Sequence, residues 1–534
     1  MKTRPVPCPP QTLEAERLTW DCGATEDRRW RRERFALLPP CFQVPAAKTY
    51  LTLHRVEGAG EANTYLRELA ESCDDPWLRL ALDEDKTRIF ATNRASEASR
   101  IALRHYCLDD AYAALSQHVA EYGLVAPAID RGVTTLGAVT RMKAPRWWQQ
   151  QSRSLAVLAF EIQAIRSGMV HAKAGLYISE DGLDAIKRRR ARNLDLLRSM
   201  EAINELDQKF SLADLVAKSV SNPINRRNEL MARLHGFDVI AQQIGHSCIF
   251  VTVTCPSRMH ARYKKSGDPN PNYDGTTPGQ AQRYLCRLWA RIRASLKTKG
   301  LPVYGFRVAE PQHDATPHWH FVLYCAPEHL VSIQALFTEH ALRDSPDEKG
   351  AILRRCTFKL IDWAKGTGIG YIAKYISKNI DGEHLEHDLH GRDAKESALR
   401  VAAWSSVHRI RQFQQFGGPS VTCWRELRRI NEAPEGLLED AREAANAGDW
   451  EQFTELFGGP HVARKEQQLR LQRETTGEIG IYGDLKSDVI VGVAAGDSLV
   501  CTREHHWRLT RKSRGRWGRA QRAASGPGNL EYCQ

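Results

Sequence analysis

The sequence predicts an α+β fold in which helices pack on a mainly antiparallel central sheet, and three observations predict it. Residues 247–254, Ser-Cys-Ile-Phe-Val-Thr-Val-Thr, form a β-branched and almost wholly apolar run suited to a central strand. Two more strand patterns, Val303 to Ala309 and His318 to Tyr324, lie either side of the turn-rich connector from Glu310 to Pro317 and pair as a hairpin. Helical stripes alternate with these runs, giving the order strand, helix, hairpin, helix, strand, helix.

Taken in order, the first 45 residues carry Pro5, Pro7, Pro9, Pro10, Pro39, Pro40 and Pro45 and read as an irregular arm. From Asn63 to Tyr122 the pattern is helical, with Leu66, Leu69, Leu78 and Leu80 near a break at Pro76, which makes 1–135 an arm and helical region of unknown role. A second helical region, 136–240, takes up at Trp147 and continues through Leu155, Ala159, Ile162 and Ile165 at 3–4 spacing. Its basic run from Lys187 to Arg192 reads as a solvated helix face. Asn222-Pro223 open a short helix that ends at Gly236 as a C-cap. The sheet domain occupies 241–392. Within it Pro256 stops the first strand, and a helix from Gln280 to Leu296 turns Leu285, Leu288, Trp289 and Ile292 inward. A helix from Leu330 to Ala341 and a strand from Phe358 to Ile361 follow, and Gly366, Gly368 and Gly370 lead into a helix from Tyr371 to Ile380. Region 393–500 reads as mainly helical. Residues 501–534 hold eight Lys or Arg against two acids, half of the net excess, and read as a basic flexible tail.

Lys and Arg outnumber Asp and Glu by 76 to 64, a net charge of +12, which favours a nucleic-acid or anionic-surface partner. Charged residues at 26% and apolar residues at 42% exclude a mostly disordered chain, a collagen-like fibre and an integral membrane protein. No uncharged apolar window of about 18 residues is present and the N-terminus has no apolar run, so neither a spanning helix nor a secretory signal is expected. Thirteen cysteines without a CxxC pair fit a reducing compartment. The chain has no GxxxxGK[ST] motif, and Gly366-Thr367-Gly368-Ile369-Gly370 lacks the Lys-Ser/Thr that would complete one, so a nucleotide-hydrolysing motor is not expected.

Two motifs carry chemistry. In His318-Trp319-His320 the histidines stand at i and i+2 of a strand and project from one face, where two imidazoles and a carboxylate can hold one divalent ion. Glu310, at the end of the neighbouring strand, can supply that carboxylate, with His313 and Asp314 of the connector as rivals. In Tyr371-Ile372-Ala373-Lys374-Tyr375-Ile376-Ser377-Lys378 the tyrosines share a helix face at i and i+4, with Lys374 and Lys378 on the adjacent surface. A tyrosine hydroxyl that attacks a phosphodiester forms a covalent phosphotyrosine, and two tyrosines permit two successive transfers. Alone, the first motif reads better as a surface pair of imidazoles and the second as a pair of core tyrosines; the two together, in this order, point to one site.

The segment Glu310 to Tyr324 resembles the metal-binding motif of HUH endonucleases, the group of rolling-circle replication initiators and relaxases, and Tyr371 to Gly382 resembles the paired-tyrosine motif of the initiators. Val253 to His260, Thr316 to Phe321, Tyr371 to Gly382 and Ile410 to Pro419 are similar to the replication gene A protein family of P2-like bacteriophages and prophages. The resemblance spans about 220 to 430 and extends more weakly to 140. It implies an HUH-type catalytic domain flanked by helical N-terminal and C-terminal regions. The implied activity is nicking of origin DNA, single-stranded or locally melted, to initiate and terminate rolling-circle replication. Tyr371 and Tyr375 would be the nucleophiles, retaining the 5′ phosphate and freeing a 3′ hydroxyl primer; Lys374 and Lys378 would assist at the phosphate; His318, His320 and Glu310 would bind Mg2+ or Mn2+. A host replicative helicase and polymerase are the implied partners, in the bacterial host cytoplasm and away from membrane.

Arg226, Arg227, Arg258, His260 and Arg262 flank the core elements and are expected either to track DNA phosphates or to be ordinary surface residues. Arg411 and Gln412 are expected to touch the strand or to serve structure. Tyr263 and Trp404 are available as base-stacking platforms, whereas Trp289 reads better as core. A relaxase or transposase of the same chemistry, and a DNA-binding module without enzymatic activity, are the alternative readings.

Overall fold

The computed structural model describes residues 10–512 apart from residue 131 and residues 383–391. The α+β expectation holds. Five strands, β1 (Ser247–Val253), β2 (Tyr304–Pro311), β3 (Pro317–Cys325), β4 (Cys356–Leu360) and β5 (Phe413–Phe416), form one antiparallel sheet in the order β4-β1-β3-β2-β5. Helices cover both of its faces. On one, Ile249, Val251, Phe321 and Leu323 meet Leu285, Leu288 and Trp289 of α1 (Pro278–Thr298) and Ile333 and Phe337 of α2 (Leu330–Leu342). On the other, Phe250, Phe306, Val322 and Tyr324 meet Leu234 and Phe237 of the helix Pro223–Gln243 and Ile372, Ile376 and Ile380 of α3 (Gly368–Ile380). A strand buried on both sides has no solvent-facing row of polar residues, so residues 247–254 read as a continuous apolar run.

Three departures from the sequence expectation have physical causes. The N-terminal 45 residues are not an irregular arm. From residue 10 they are helical, over Pro10–Leu18, Thr25–Leu37 and Pro40–Val56. Pro10 and Pro40 occupy first helical positions, where a missing N–H costs nothing. Phe35, Phe42, Ala46 and Tyr50 join the hydrophobic cluster on the α1 face of the sheet. Gly236 does not cap a helix, because Pro223–Gln243 runs through it; a Cβ there would lie 2.7 Å from the Trp450 Cβ, so the glycine lets the helix Trp450–Leu456 approach. Finally, the chain beyond residue 456 turns to strands. Leu469–Glu474, Val489–Ala495 and Ser498–Cys501 form a three-stranded antiparallel sheet, and Trp507–Arg511 pairs with Met200–Asn204, which also pairs with Lys209–Ser211. The expected flexible tail is therefore a strand over 507–511, and its residues from 513 onward lie outside the described residues. Among the described residues no helix is long and apolar enough to cross a membrane.

One buried carboxylate in the helical region makes stability depend on pH. Glu161, fully buried in the helix Pro145–Ser167, accepts hydrogen bonds from the Ser179 N–H (3.1 Å) and hydroxyl (2.6 Å) at the start of the helix Glu180–Ser199. Burial pushes its carboxyl up to about 7, outweighing the Ser179 hydrogen bonds that draw it down. As pH rises through the window from 4.5 to about 7, the unfolded chain releases this proton before the folded one does, so stability falls, by on the order of 3 kcal/mol. Glu161→Gln, which cannot ionise, is expected to remove that part of the pH dependence in urea unfolding. An identical pH profile for the variant and the parent would contradict this assignment.

Candidate active site

Strand register assembles the site. β2 pairs with β3 so that Glu310 lies opposite His318 and Val308 opposite His320, while β1 sets Thr252 opposite His320. Glu310, His318 and His320 therefore share the face covered by α3. Their ligand atoms all lie within 4.8 Å of one another. The two Nε2 atoms are 2.9 Å apart, and the Glu310 Oε2 is 3.8 Å from that of His318 and 3.6 Å from that of His320. The His320 Nδ1 lies 2.9 Å from the Thr252 hydroxyl, which fixes the ring so that Nε2 faces the cluster. Burial, reinforced by His320, holds the His318 imidazole down to about 3, in the neutral form that can ligate a metal. Two imidazole nitrogens and one carboxylate oxygen converging on one point are a fitting donor set for a divalent cation.

A second layer steadies the carboxylate. The Asn379 amide donates to Glu310 Oε1, and the Lys378 ammonium stands 3.6 Å from Oε2. Burial alone would raise the Glu310 carboxyl, but Lys378 and the two histidines outweigh it and hold it at about 2. Lys378 is buried against this carboxylate instead of lying on the adjacent surface. The rivals in the connector serve the turn: Asp314 is fully buried, stands 3.1 Å from the His260 Nδ1 and accepts from the Thr316 N–H, and His313 is also buried.

The tyrosines approach from above on α3. The Tyr375 ring lies 4.2 Å from that of His320 and 5.3 Å from that of Phe250. Burial, and then the nearby Glu310 charge, raise its phenol, which favours the protonated hydroxyl. Tyr371, one turn earlier, sits 6.5 Å from Phe250 with the Lys359 ammonium 4.5 Å from its ring centre. The helix start is fixed by Asp238, whose buried carboxylate accepts from the Gly368 N–H (3.0 Å), the Ile369 N–H (2.7 Å) and the Tyr324 hydroxyl (2.8 Å). A Cβ at Gly368 would fall 2.6 Å from that carboxylate, so this glycine gives the tyrosine helix room. Thr252, Asp238, Lys359 and Asn379 were given no role by sequence reasoning. Asp238 could have been found as an acid set between the apolar Phe237 and Val239 of its helix; Lys359 becomes visible only through the register that sets it beside Phe250.

Of the residues expected at DNA, four are engaged within the protein. Arg227 pairs with Asp381 at 2.8 Å; Arg258 holds Asp274 and Asp344; His260 pairs with Asp314; Arg262, buried, donates to the Thr49 hydroxyl at 2.6 Å. Arg226, Arg411 and Gln412 line a groove beside β5. The Lys374 side chain lies outside the described residues. Trp289 and Trp404 are core, the latter donating its indole N–H to the Ala315 carbonyl, while Tyr263 is half exposed.

The fold and the site define an α+β protein in which a His-His-Glu cluster faces a helix bearing two tyrosines. Residues 93–383 match the family described as bacteriophage replication gene A protein, and the chain belongs to that family. It is 37% identical over 383 residues to the replication protein of Haemophilus phage HP1 (strain HP1c1), covering 70% of this chain and 48% of the relative. It is 35% identical over 400 residues to the replication gene A protein of Escherichia phage P2, covering 70% and 52%. A protein of Salmonella paratyphi A (strain ATCC 9150 / SARB42) named "Probable replication endonuclease from prophage-like region" is 36% identical over 397 residues, covering 70% and 49%. The chain thus spans about half the length of these curated relatives. No solved structure matches it significantly.

Proposed function

We propose that the chain is a replication endonuclease of phage or prophage DNA that nicks one strand with a tyrosine and later rejoins it, initiating and terminating rolling-circle replication. The observation that carries the reading is the contact between Tyr375 and His320, whose Nε2 converges with His318 and Glu310. A tyrosine hydroxyl attacks the scissile phosphorus and loses its proton. The bond from phosphorus to the 3′ oxygen breaks, and that oxygen leaves as a hydroxyl after taking up a proton. The 5′ phosphate stays on the tyrosine, and the second tyrosine can repeat the step on a regenerated sequence. Mg2+ or Mn2+ held by His318, His320 and Glu310 would supply charge neutralisation at the phosphoryl oxygens. Lys378, next to Glu310, keeps a cation beside the carboxylate. Lys359 puts a second amine near Tyr371, and both can attract the phosphate.

The substrate in this reading is single-stranded or locally melted origin DNA. In this reading a host helicase unwinds the duplex and the 3′ hydroxyl serves a host polymerase, in the bacterial cytoplasm. The test is a covalent one. The protein is incubated with labelled single-stranded origin oligonucleotides and Mn2+ or Mg2+, then denatured. A labelled adduct is expected from the parent and none from the Tyr371→Phe, Tyr375→Phe double variant. No adduct from the parent with any oligonucleotide tiling the origin would leave a binding module, and an adduct that persists in the double variant would remove the tyrosines from the chemistry.

A further inference from the structure

A groove of about 860 Å³ opens beside the edge strand β5, away from the metal-ligand cluster. Arg226, Arg233, Arg411, Arg425 and Arg464 line it, and among the described residues no aspartate or glutamate does. Glu229 stands behind the wall, 3.3 Å from Arg233 and 2.7 Å from Arg425, and offsets part of their charge. Arg411 and Arg464 are exposed. A second observation points to a ligand: Gln412, less than a tenth exposed, lines the groove, and its amide nitrogen finds no hydrogen-bond partner among the described residues. Leaving a buried donor unpaired is costly, and a groove ligand with acceptor oxygens would relieve it.

The edge strand β5 that borders the groove pairs with β2, the strand that carries Glu310. The Gln412 carbonyl accepts from the Ala309 N–H at 2.7 Å, one residue before Glu310. At the other end Arg226 lies in the field of Asp381, immediately after α3, and Asp381 is the residue that Arg227 pairs with. Guanidinium groups suit phosphate oxygens because each offers a planar fork of donors.

We propose that this groove binds the phosphodiester backbone of a single DNA strand running on from the tyrosine site. The proposal rests on the nicking reading for its substrate. It adds a backbone-holding subsite on the β5 edge that acts independently of base sequence. The side-chain amides of Gln414, Gln415 and Gln467, which also line the groove, offer further hydrogen bonds to a strand.

The test uses the full chain and an oligothymidylate of about 20 nucleotides, with the matching duplex as comparison, read by fluorescence anisotropy between about 50 and 200 mM salt. Arg411→Gln with Arg464→Gln removes two exposed charges and is expected to weaken single-strand binding about tenfold at low salt. It should also reduce the log–log salt slope by about 1.4, at ~0.7 for each lost phosphate contact on a single strand. Arg411→Lys with Arg464→Lys, which keeps the charges, is expected to keep most of the slope and so separates charge loss from misfolding. Parent-like affinity and slope for the Gln pair would overturn the groove, as would a loss confined to the duplex. A weakened Gln pair in a protein that forms no covalent adduct would leave the groove standing and remove the nicking reading instead.

Discussion

His320→Ala is expected to lower metal-supported strand cleavage by about a thousandfold while the protein remains folded. The imidazole gives one of three converging ligand atoms, and its ring is the surface on which Tyr375 rests. Its removal leaves Glu310 beside Lys378 with one histidine, a set with too few donors to hold a cation at a defined place. Mn2+ binding followed by titration calorimetry should weaken in step with cleavage, and the circular dichroism spectrum should not change. Cleavage within tenfold of the parent would exclude the cluster as the metal site. His318→Ala is expected to behave in the same way, because the two Nε2 atoms face the same point.

Asp238→Ala carries the second large effect, through the position of the tyrosine helix. The substitution strips the acceptor from two backbone N–H groups and a tyrosine hydroxyl, all in a buried place. At about 1–3 kcal/mol for each unpaired buried donor, with partial relaxation, the expected cost is about 3 kcal/mol or more. Burial pushes the Asp238 carboxyl up despite its three hydrogen bonds, so part of the cost of holding the acid is already present in the parent. Asp238→Asn, which keeps one acceptor oxygen, should fall between the two. Urea unfolding measures the loss, and hydrogen exchange at residues 368–370 should accelerate in the Ala variant. Unchanged exchange there would show that the helix start is held by something else.

The sheet was legible because its signals are local. A strand buried on both faces must be apolar throughout, as residues 247–254 are, and a hairpin declares itself by its turn residues. The i, i+2 histidines and the i, i+4 tyrosines each fix a common face without further information. Their meeting was legible only as a resemblance, since nothing local says that α3 crosses the same face as β2 and β3. Charge partners were hidden for the same reason. Arg258 reads as an exposed cation until Asp344, 86 residues further on, is brought beside it. Prolines misled in the N-terminal region because a helix start and a loop both welcome them. Gly236 misled because a glycine that admits a neighbouring helix is spelled like one that ends its own.

The pairing of Trp507–Arg511 with Met200–Asn204 joins segments some 300 residues apart, and the His505 ring bonds to Glu205 at the same seam. On the ribosome the hairpin spanning 200–211 emerges early and waits with a bare edge until residue 511 has been made. Closing so long a loop is slow, and an unpaired edge in the meantime invites other nascent chains. A chain lacking residues 507–511 would leave the edge of Met200–Asn204 that they cover unpaired, beside an intact tyrosine helix.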